Sequence, residues 1–314
     1  MLRHKSDLQS LAYMAVSTSL LVWQWSRAEF STPLFLWAAF MAVTVTVMAH
    51  NHNHLRMWNS RALNMATDYW LTLFYGFPAF AWIPTHNQNH HKFVNREGDY
   101  TVTYRYSERN NLLTLALYPT ISGYHQQKPI RDYLRELWHK NRRRFWFSVS
   151  QYGALALFIG VAAVIDWKKA LLYIVVPQQI GLAVVLIFNY LQHVHADEES
   201  EFDHSRNFVS PLLNLLLLNN GYHTAHHHSP GAHWSQMREA HQKIAHRIDP
   251  VLNEKYFWWM MARTFLLAPF VPAFRSRSLR LARIARQARL AEIETNGEAA
   301  VAADAAIRAV PARG

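Results

Sequence analysis

The sequence predicts an all-α integral membrane protein with four transmembrane helices in two hairpins and a helical cytoplasmic cap. Four apolar segments each approach the ~20 residues needed to cross a hydrocarbon core of about 30 Å. Hydrophobic residues make up 51% of the 314 residues, yet the mean hydropathy is slightly negative. That combination indicates a few spanning helices that carry a substantial polar domain. Lys and Arg are concentrated between the second and third segments.

The four predicted transmembrane helices cover approximately residues 8–25, 33–49, 145–165 and 170–191. Short linkers, RAEFST and DWKK, join the two helices of each pair, which predicts two hairpins. The region between the hairpins contains thirteen Lys or Arg residues, whereas the short linkers contain only Arg27, Lys168 and Lys169. The positive-inside rule therefore predicts that both termini and the middle region are cytoplasmic.

Several further apolar runs are too short or too interrupted to span. Tyr69–Ile83, Leu112–Ile121 and Val209–Leu218 belong either to the core of the cap or to helices on the membrane surface, and length does not decide between these alternatives. Phe257–Phe274 is longer. We expect an interfacial or re-entrant helix there, because a fifth span would move the C-terminus outside.

We therefore expect one domain over residues 1–274, with the cap formed by 50–144 and 192–274. Residues 275–295 are basic and amphipathic, and are typical of a solvated helix or of an anchor to anionic phospholipid. The Ala-rich residues 296–314 are predicted to be disordered. The net charge of +11 is compatible with nucleic acid, anionic lipid or an acidic protein. The apolar segments favour lipid, and no nucleic-acid partner is predicted.

Histidine is the unusual feature of the composition. The chain has 19 histidines, and twelve of them fall in four clusters on the predicted cytoplasmic side. The clusters are His50, His52 and His54; His86, His90 and His91; His193 and His195; and His223, His226, His227 and His228. Two of the clusters directly follow predicted transmembrane helices. A lone histidine is usually packed or solvated, but four clusters on one face predict metal binding.

Helix geometry supports this prediction. On an α-helix, residues four apart lie ~40° apart around the axis, and residues three apart lie ~60° apart on the other side. His50 and His54 can therefore face one metal or two adjacent metals. His226 and His227 diverge, so each can bind a different metal. His86, His90 and His91 spread more widely, which predicts local unwinding.

The ligand types limit the metal. The sequence contains no cysteine, which excludes disulfides, thiolate zinc sites and iron–sulfur ligation by this chain. Imidazole-rich sites suit Fe, Zn, Cu or Ni. A single zinc usually takes four ligands, whereas about nine converging imidazoles are enough for two metals.

The clusters resemble the three histidine boxes, HxxxH, HxxHH and HxxHH, of the membrane fatty-acid desaturase and hydroxylase superfamily. The first box corresponds to His50 and His54, and the third to His223, His226 and His227 within the run from Asn220 to Pro230. The second box reads HxxxHH, which is one residue longer, although Asn95 and Asp99 after it are family-like. Leu191-Gln192-His193 resembles the family's additional ligand after the fourth helix.

The resemblance implies a set of iron ligands: His50, His54, His86, His90, His91, Asn189, His193, His223, His226 and His227. Asn189 stands four residues before His193, where some family members hold iron through water. Secondary candidates are His52, His195, His228 and Asn220. Of the pair after the fourth helix, the LQH pattern favours His193 over His195.

The resemblance also implies a function. Two non-haem iron ions would activate O2 and oxidise an unactivated C–H bond of a fatty acyl chain or lipid, most plausibly by desaturation. Hydroxylation and terminal-alkene formation by decarboxylation are alternatives within the superfamily. The sequence contains no fused electron donor, so the resemblance implies an external ferredoxin or rubredoxin with its reductase. The expected location is the bacterial inner membrane, with the site facing the cytoplasm.

A divalent-metal transporter or sensor is the alternative from another class. Transporters place ligands or charges within their membrane helices. The predicted spans of this chain are nearly free of both, which disfavours that alternative.

Overall fold

The computed structural model describes residues 1–308, with side chains described up to residue 295. The α-helices are α1 (Leu8–Ser26), α2 (Thr32–His54), α3 (Arg61–Tyr75), α4 (His91–Phe93), α5 (Leu112–Lys140), α6 (Arg142–Ala170), α7 (Val176–His193), α8 (Pro211–Leu216), α9 (His223–His228), α10 (Met237–Ile244), α11 (Phe257–Met261) and α12 (Leu279–Arg308). The π-helices are Ile83–His90, Leu171–Val175 and Ala262–Leu267.

Smaller elements complete the fold. Short 3-10 helices cover Lys5–Asp7, Ala79–Ala81, Trp234–Gln236, Ala245–Arg247, Pro250–Leu252 and Pro272–Phe274. Two short strands, β1 (Asn207–Phe208) and β2 (Asn253–Glu254), pair in parallel, with Asn207 opposite Asn253 and Phe208 opposite Glu254. The described residues are thus mostly helical, as the sequence predicts.

Two helical ranges are long and apolar enough to cross a membrane, namely Thr32–His54 and Arg142–His193. The second range is 52 residues long, more than twice the ~20 residues of one crossing. Length and composition alone also suit a buried helix of a soluble protein. The four transmembrane spans therefore stay a prediction, and α1 is not among the candidate ranges.

The long range bends at Asp166, within the predicted DWKK linker. Asp166 has φ −156° and ψ 97°, which is extended rather than helical backbone. Its Oδ1 accepts hydrogen bonds from the backbone N–H groups of Lys168 and Lys169 at 3.1 and 3.0 Å, which begins the following helix. Ala162 before the bend and Ile174 after it share one apolar cluster. The chain therefore reverses here into a helical hairpin.

Close packing of α2 against α7 positions the functional residues. Gly181 on α7 lies against α2, where a Cβ atom would sit 2.9 Å from the carbonyl oxygen of Ala42. Val45 and Met48 of α2 and Leu191 of α7 belong to the largest apolar cluster. Because these two helices end in His54 and His193, their packing brings the first and third histidine clusters to the same end of the bundle.

The shorter apolar runs belong to several environments. Leu112–Ile121 forms the start of the 29-residue helix α5, which buries Leu115 and exposes Leu117. The run from Phe257 is helical only to Leu267. Eleven helical residues extend roughly 16 Å, which is shorter than a hydrocarbon core.

The predicted basic helix over residues 275–295 corresponds to the first part of α12. Arg280 forms ion pairs with Glu108 and Glu198, and Arg283 forms ion pairs with Asp197 and Glu198. These contacts attach the start of α12 to the loop that follows α7. The predicted disordered tail, residues 296–314, lies outside the residues whose side chains the structure describes.

Candidate metal centre

Nine of the predicted histidines converge in two adjacent groups. In each group the ligand atoms all lie within 4.8 Å of one another. The first group is His50, His54, His86, His91 and His226, and the second group is His90, His193, His223 and His227. The rings of His91 and His227, one from each group, have centroids only 4.5 Å apart. The two groups therefore form one centre.

Four nitrogens of the first group form a closed ring of short distances. The Nε2 atom of His50 lies 2.9 Å from that of His86 and 3.0 Å from that of His226. The Nε2 atom of His91 lies 3.1 Å from that of His86 and 2.9 Å from that of His226. The ring of His54 is 4.6–5.0 Å from the other four rings. The four nitrogens thus form a closed ring, and the ring of His54 lies at similar distances from the four imidazoles.

The second group has the same spacing. The Nε2 atom of His223 lies 2.9 Å from that of His193 and 3.1 Å from that of His227. His90 completes the group, with its ring 4.7 Å from the ring of His193 and 5.0 Å from that of His227.

This spacing fits metal coordination. Two nitrogens bound at about 2.1 Å and at right angles to each other would be separated by about 3.0 Å, whereas tetrahedral angles would separate them by about 3.4 Å. The observed separations of 2.9–3.1 Å are close to those of nitrogens that converge on a common metal ion. Converging lone pairs of neutral imidazoles also repel one another unless a cation lies between them. The donor set fits two metal ions.

The histidines of the second and third boxes alternate between the two groups. In the third box, on α9, His223 and His227 belong to the second group and His226 to the first. In the second box, His86 and His91 belong to the first group and His90 to the second. Each box therefore supplies its outer pair to one metal and its inner histidine to the other.

A π-helix accommodates the additional residue of the second box. Residues Ile83–His90 form this helix, in which hydrogen bonds join residues five apart rather than four. Five residues thus make about one turn, so His86 and His91 return to the same face. The predicted local unwinding takes this form.

Two side chains of the second group are oriented by neighbouring oxygens. His90 Nδ1 donates to Asp99 Oδ2 at 2.8 Å, and the buried Asp99 also accepts from the N–H of Thr101 at 2.7 Å. His193 Nδ1 donates to the carbonyl oxygen of His204 at 3.1 Å. These hydrogen bonds place the proton on Nδ1 and leave Nε2 free to bind a metal. In the sequence, Asp99 is distinguished only as family-like, and a backbone carbonyl has no sequence pattern.

Burial keeps these imidazoles neutral, which is the form that binds metal. Burial, followed by the charges of neighbouring histidines, lowers the pKa of His86, His226 and His227 well below its usual value. The same causes lower the pKa of His91 to about 2. Burial would raise the pKa of Asp99, but His90 and the hydrogen bonds to Asp99 hold it below its ordinary value.

The other predicted ligands lie outside the two groups. Asn189 Nδ2 donates to the hydroxyl of Tyr118 at 2.6 Å. His195 has a positive φ of 62°, and its ring contacts the carbonyl oxygen of Glu108 and the hydroxyl of Ser276.

The remaining secondary candidates also have other partners. His52 accepts from the N–H of Met57, and His228 donates to the carbonyl oxygen of Glu201. Asn220 lines the cavity beside the metal centre, where its backbone carbonyl accepts from the side chain of Gln192.

A largely apolar cavity of about 260 Å³ borders the centre. His50, His86 and His223 line it, and these residues represent both groups. Asn189 lines the same cavity. Its apolar wall includes Val47, Phe77, Ile130, Val185, Leu186 and Phe188. An apolar chain in this cavity would therefore lie against the metal ligands.

Comparison with known families agrees with this geometry. A family model described as fatty acid desaturase matches residues 30–259, more than two thirds of the chain. The chain belongs to the fatty acid desaturase family. No curated protein matches the sequence. Membership implies an oxidoreductase that acts on a lipid acyl chain with O2, and the matched range contains all nine histidines of the two groups.

Proposed function

We propose that this desaturase-family protein uses two iron ions to oxidise an unactivated C–H bond of an acyl chain, and that the reaction is desaturation. One observation carries the proposal: two adjacent histidine groups border a largely apolar cavity. His50, His54, His86, His91 and His226 would hold one iron, and His90, His193, His223 and His227 the other. When bound, the iron pair supplies the activation of O2.

The protein's own residues position the substrate and limit access of water. Val185, Leu186 and Phe188 of α7 and Ile130 of α5 line the cavity, so a methylene chain is held by shape and apolar contact. The carbon atoms next to His50, His86 and His223 are those that react. Desaturation removes two hydrogens from adjacent carbons. Together with O2, two electrons and two protons, this gives an alkene and two water molecules.

Asn189 is proposed as a ligand through water on the second iron. It precedes His193 by one turn of α7, as His50 precedes His54 on α2. It also lines the cavity with His223. The hydrogen bond from Asn189 to Tyr118 fixes the amide in this position.

The two electrons require an external donor, which we propose to be a ferredoxin or rubredoxin with its reductase. The chain has no cysteine with which to hold an iron–sulfur cluster of its own. Its net charge of +11 favours association with an acidic partner.

We further propose a multi-pass protein of the bacterial inner membrane with four spans and a cytoplasmic metal centre. Large apolar side chains remain exposed on the helices, including Val22 and Trp23 on α1 and Val164 and Ile165 on α6. Val164 is 88% exposed, which is unfavourable in water and suits contact with lipid. The hairpin at Asp166 also supports two crossings within Arg142–His193.

Metal analysis and product analysis test the proposal. Purified protein is expected to contain about two irons per chain, and a host expressing it is expected to gain an alkene whose position mass spectrometry locates. A His223→Ala variant serves as the inactive control. One equivalent of zinc, with no activity restored by ferrous iron, would contradict the di-iron centre. An alcohol or a terminal alkene in place of the internal alkene would identify hydroxylation or decarboxylation.

A further inference from the structure

Arg206 is a buried cation in a part of the molecule that the proposed reaction does not use. It immediately precedes β1 and is only 5% exposed. It takes part in none of the ion pairs within 4 Å among the described residues, and Glu254 is the carboxylate whose charge acts on it from farther away. Burying a charge without a counter-ion is unfavourable unless other polar groups compensate.

The compensating groups are carbonyls at the end of α7. Arg206 Nη1 donates to the carbonyl oxygens of Leu191 at 2.8 Å and Val194 at 3.3 Å. The backbone N–H of Arg206 donates to the carbonyl oxygen of Gln192 at 2.6 Å. The last carbonyls of a helix have no partner within the helix and carry its negative dipole end. A cation there is stabilised, and it fixes where the helix stops.

His193 is the residue that this contact holds. It lies between Leu191 and Val194, and its Nδ1 donates to the carbonyl oxygen of His204, two residues before Arg206. Its Nε2 then lies 2.9 Å from Nε2 of His223. The segment 204–206 therefore fixes both the helix end and the orientation of the ring.

The same segment continues to the helix that carries the third box. The backbone carbonyl of Ser205 accepts from the hydroxyl of Thr224 at 3.1 Å. Asn207 Oδ1 accepts from the backbone N–H of Thr224 at 2.9 Å. Thr224 directly follows His223 on α9. One short segment thus connects α7 and α9, the two helices that supply His193, His223 and His227.

We propose that Arg206 is a positioning residue for the second metal group, where it holds the end of α7 so that His193 meets His223 and His227. This inference rests on the proposed two-metal centre. It assigns no contact with substrate to Arg206. Four of the five histidines of the first group lie on α2 and in residues 83–91, which Arg206 does not contact through any of its hydrogen bonds, and the fifth is His226 on α9.

Cobalt(II) titration of the metal-free protein tests the proposal without measuring turnover. The wild type is expected to bind two equivalents with absorbance typical of imidazole ligation. Arg206→Gln is expected to weaken the second equivalent by about 10–100-fold, the usual effect of losing an outer-shell partner. Its spectrum should match that of His193→Ala. Arg206→Lys should restore part of the affinity, because it returns a cation to the same carbonyls.

Two further variants make the test specific. Thr224→Val removes the hydroxyl hydrogen bonds that join α9 to Ser205 and Asn207 without changing charge, and it should also weaken the second equivalent. Arg135→Gln is the matched control, since Arg135 is exposed on α5 and pairs with Asp132 rather than with the carbonyls of α7. It should bind cobalt like the wild type.

Other results would overturn the proposal. One is that Arg206→Gln binds two equivalents of cobalt with wild-type affinity. The other is that Arg206→Gln weakens the binding of both equivalents equally and that Arg206→Lys does not recover it. If Arg206→Gln does not fold, Thr224→Val and Arg206→Lys decide: weakening of the second equivalent supports the proposal, and unchanged binding contradicts it. A wild type that binds fewer than two cobalt ions would instead contradict the two-metal centre.

Discussion

At the residue scale, His193 and His195 differ in role although only one residue separates them. His193 is the last residue of α7 and is fully buried in the second group. His195 follows the helix end, with a left-handed φ of 62°, and its ring points to Glu108 and Ser276. The end of the helix thus separates a proposed metal ligand from a loop histidine.

Substitution by asparagine at both positions tests this difference, because asparagine tolerates a positive φ. His193→Asn is expected to lose about one metal ion per chain and nearly all activity, since the second group keeps only three imidazoles. His195→Asn should keep both ions and most of the activity. Iron content and product formation measure the two effects. Loss of iron in His195→Asn but not in His193→Asn would contradict the assignment.

Eight of the nine histidines were predictable from helix spacing and from their resemblance to the three boxes, whereas His193 was predicted from its resemblance to the LQH pattern. The alternation of His226 and His227 between metals follows from their divergence on α9. Asp99 and Arg206 act on histidines through contacts that no spacing encodes, and their roles were not predicted. His52 and His228 fit the pattern of the clusters, yet their rings have other partners.

At the element scale, the π-helix Ile83–His90 explains how the second box, which has one additional residue, presents its histidines in the same arrangement as the third box. His86 and His91 occupy positions equivalent to those of His223 and His227, which lie four apart on an ordinary α-helix. The sequence predicts local unwinding of this segment but not a π-helix. The type of helix depends on which side of the segment faces the two histidine groups.

Deletion of Gln88 tests this explanation. Gln88 is exposed and lies in the middle of the π-helix. Its removal leaves HxxHH spacing, which an α-helix can present to the same two metals. The variant is expected to keep two ions per chain. Deletion of Ala225 combined with His228→Ala in the third box is the control and should lose metal, because no HxxHH spacing then remains. Loss of metal from the Gln88 deletion would contradict the explanation.

The contact between α2 and α7 offers a second test at this scale. Gly181→Ala places a methyl group 2.9 Å from the carbonyl oxygen of Ala42, so the two helices must move apart. We expect a loss of about 1–3 kcal/mol in the free energy of unfolding. Gly160→Ala is the matched control, because Gly160 has open space around its Cβ position. Thermal unfolding in detergent measures both variants, and equal midpoints would show that the contact is not close.

At the scale of the whole molecule, the fold class followed from the distribution of apolar and basic residues along the chain. The reversal at Asp166 lies in the predicted DWKK linker. The full length of α5 was not predicted, because Pro119 and Pro129 interrupt its pattern although both lie inside the helix. Its course is decided by packing, for example of Leu115 and Tyr118 in the main core.

Reporter fusions test the topology. Fusions before Met1 and after Gly314 are expected to be active only with a cytoplasmic reporter, since four spans place both ends on the basic side. Fusions after Glu29 and after Lys168, in the two short linkers, are the matched controls and should be active only outside the cytoplasm. An external C-terminus would mean an odd number of crossings.

The alternation of the boxes between the two groups also determines when each ion can be captured during synthesis. A nascent chain that has emerged as far as α7 already contains His50, His54, His86 and His91, four of the five imidazoles of the first group. It contains only His90 and His193 of the second group. In the proposed two-iron centre, the second group is complete only when the ribosome has made residue 227, so we expect a chain halted before His223 to hold at most one iron.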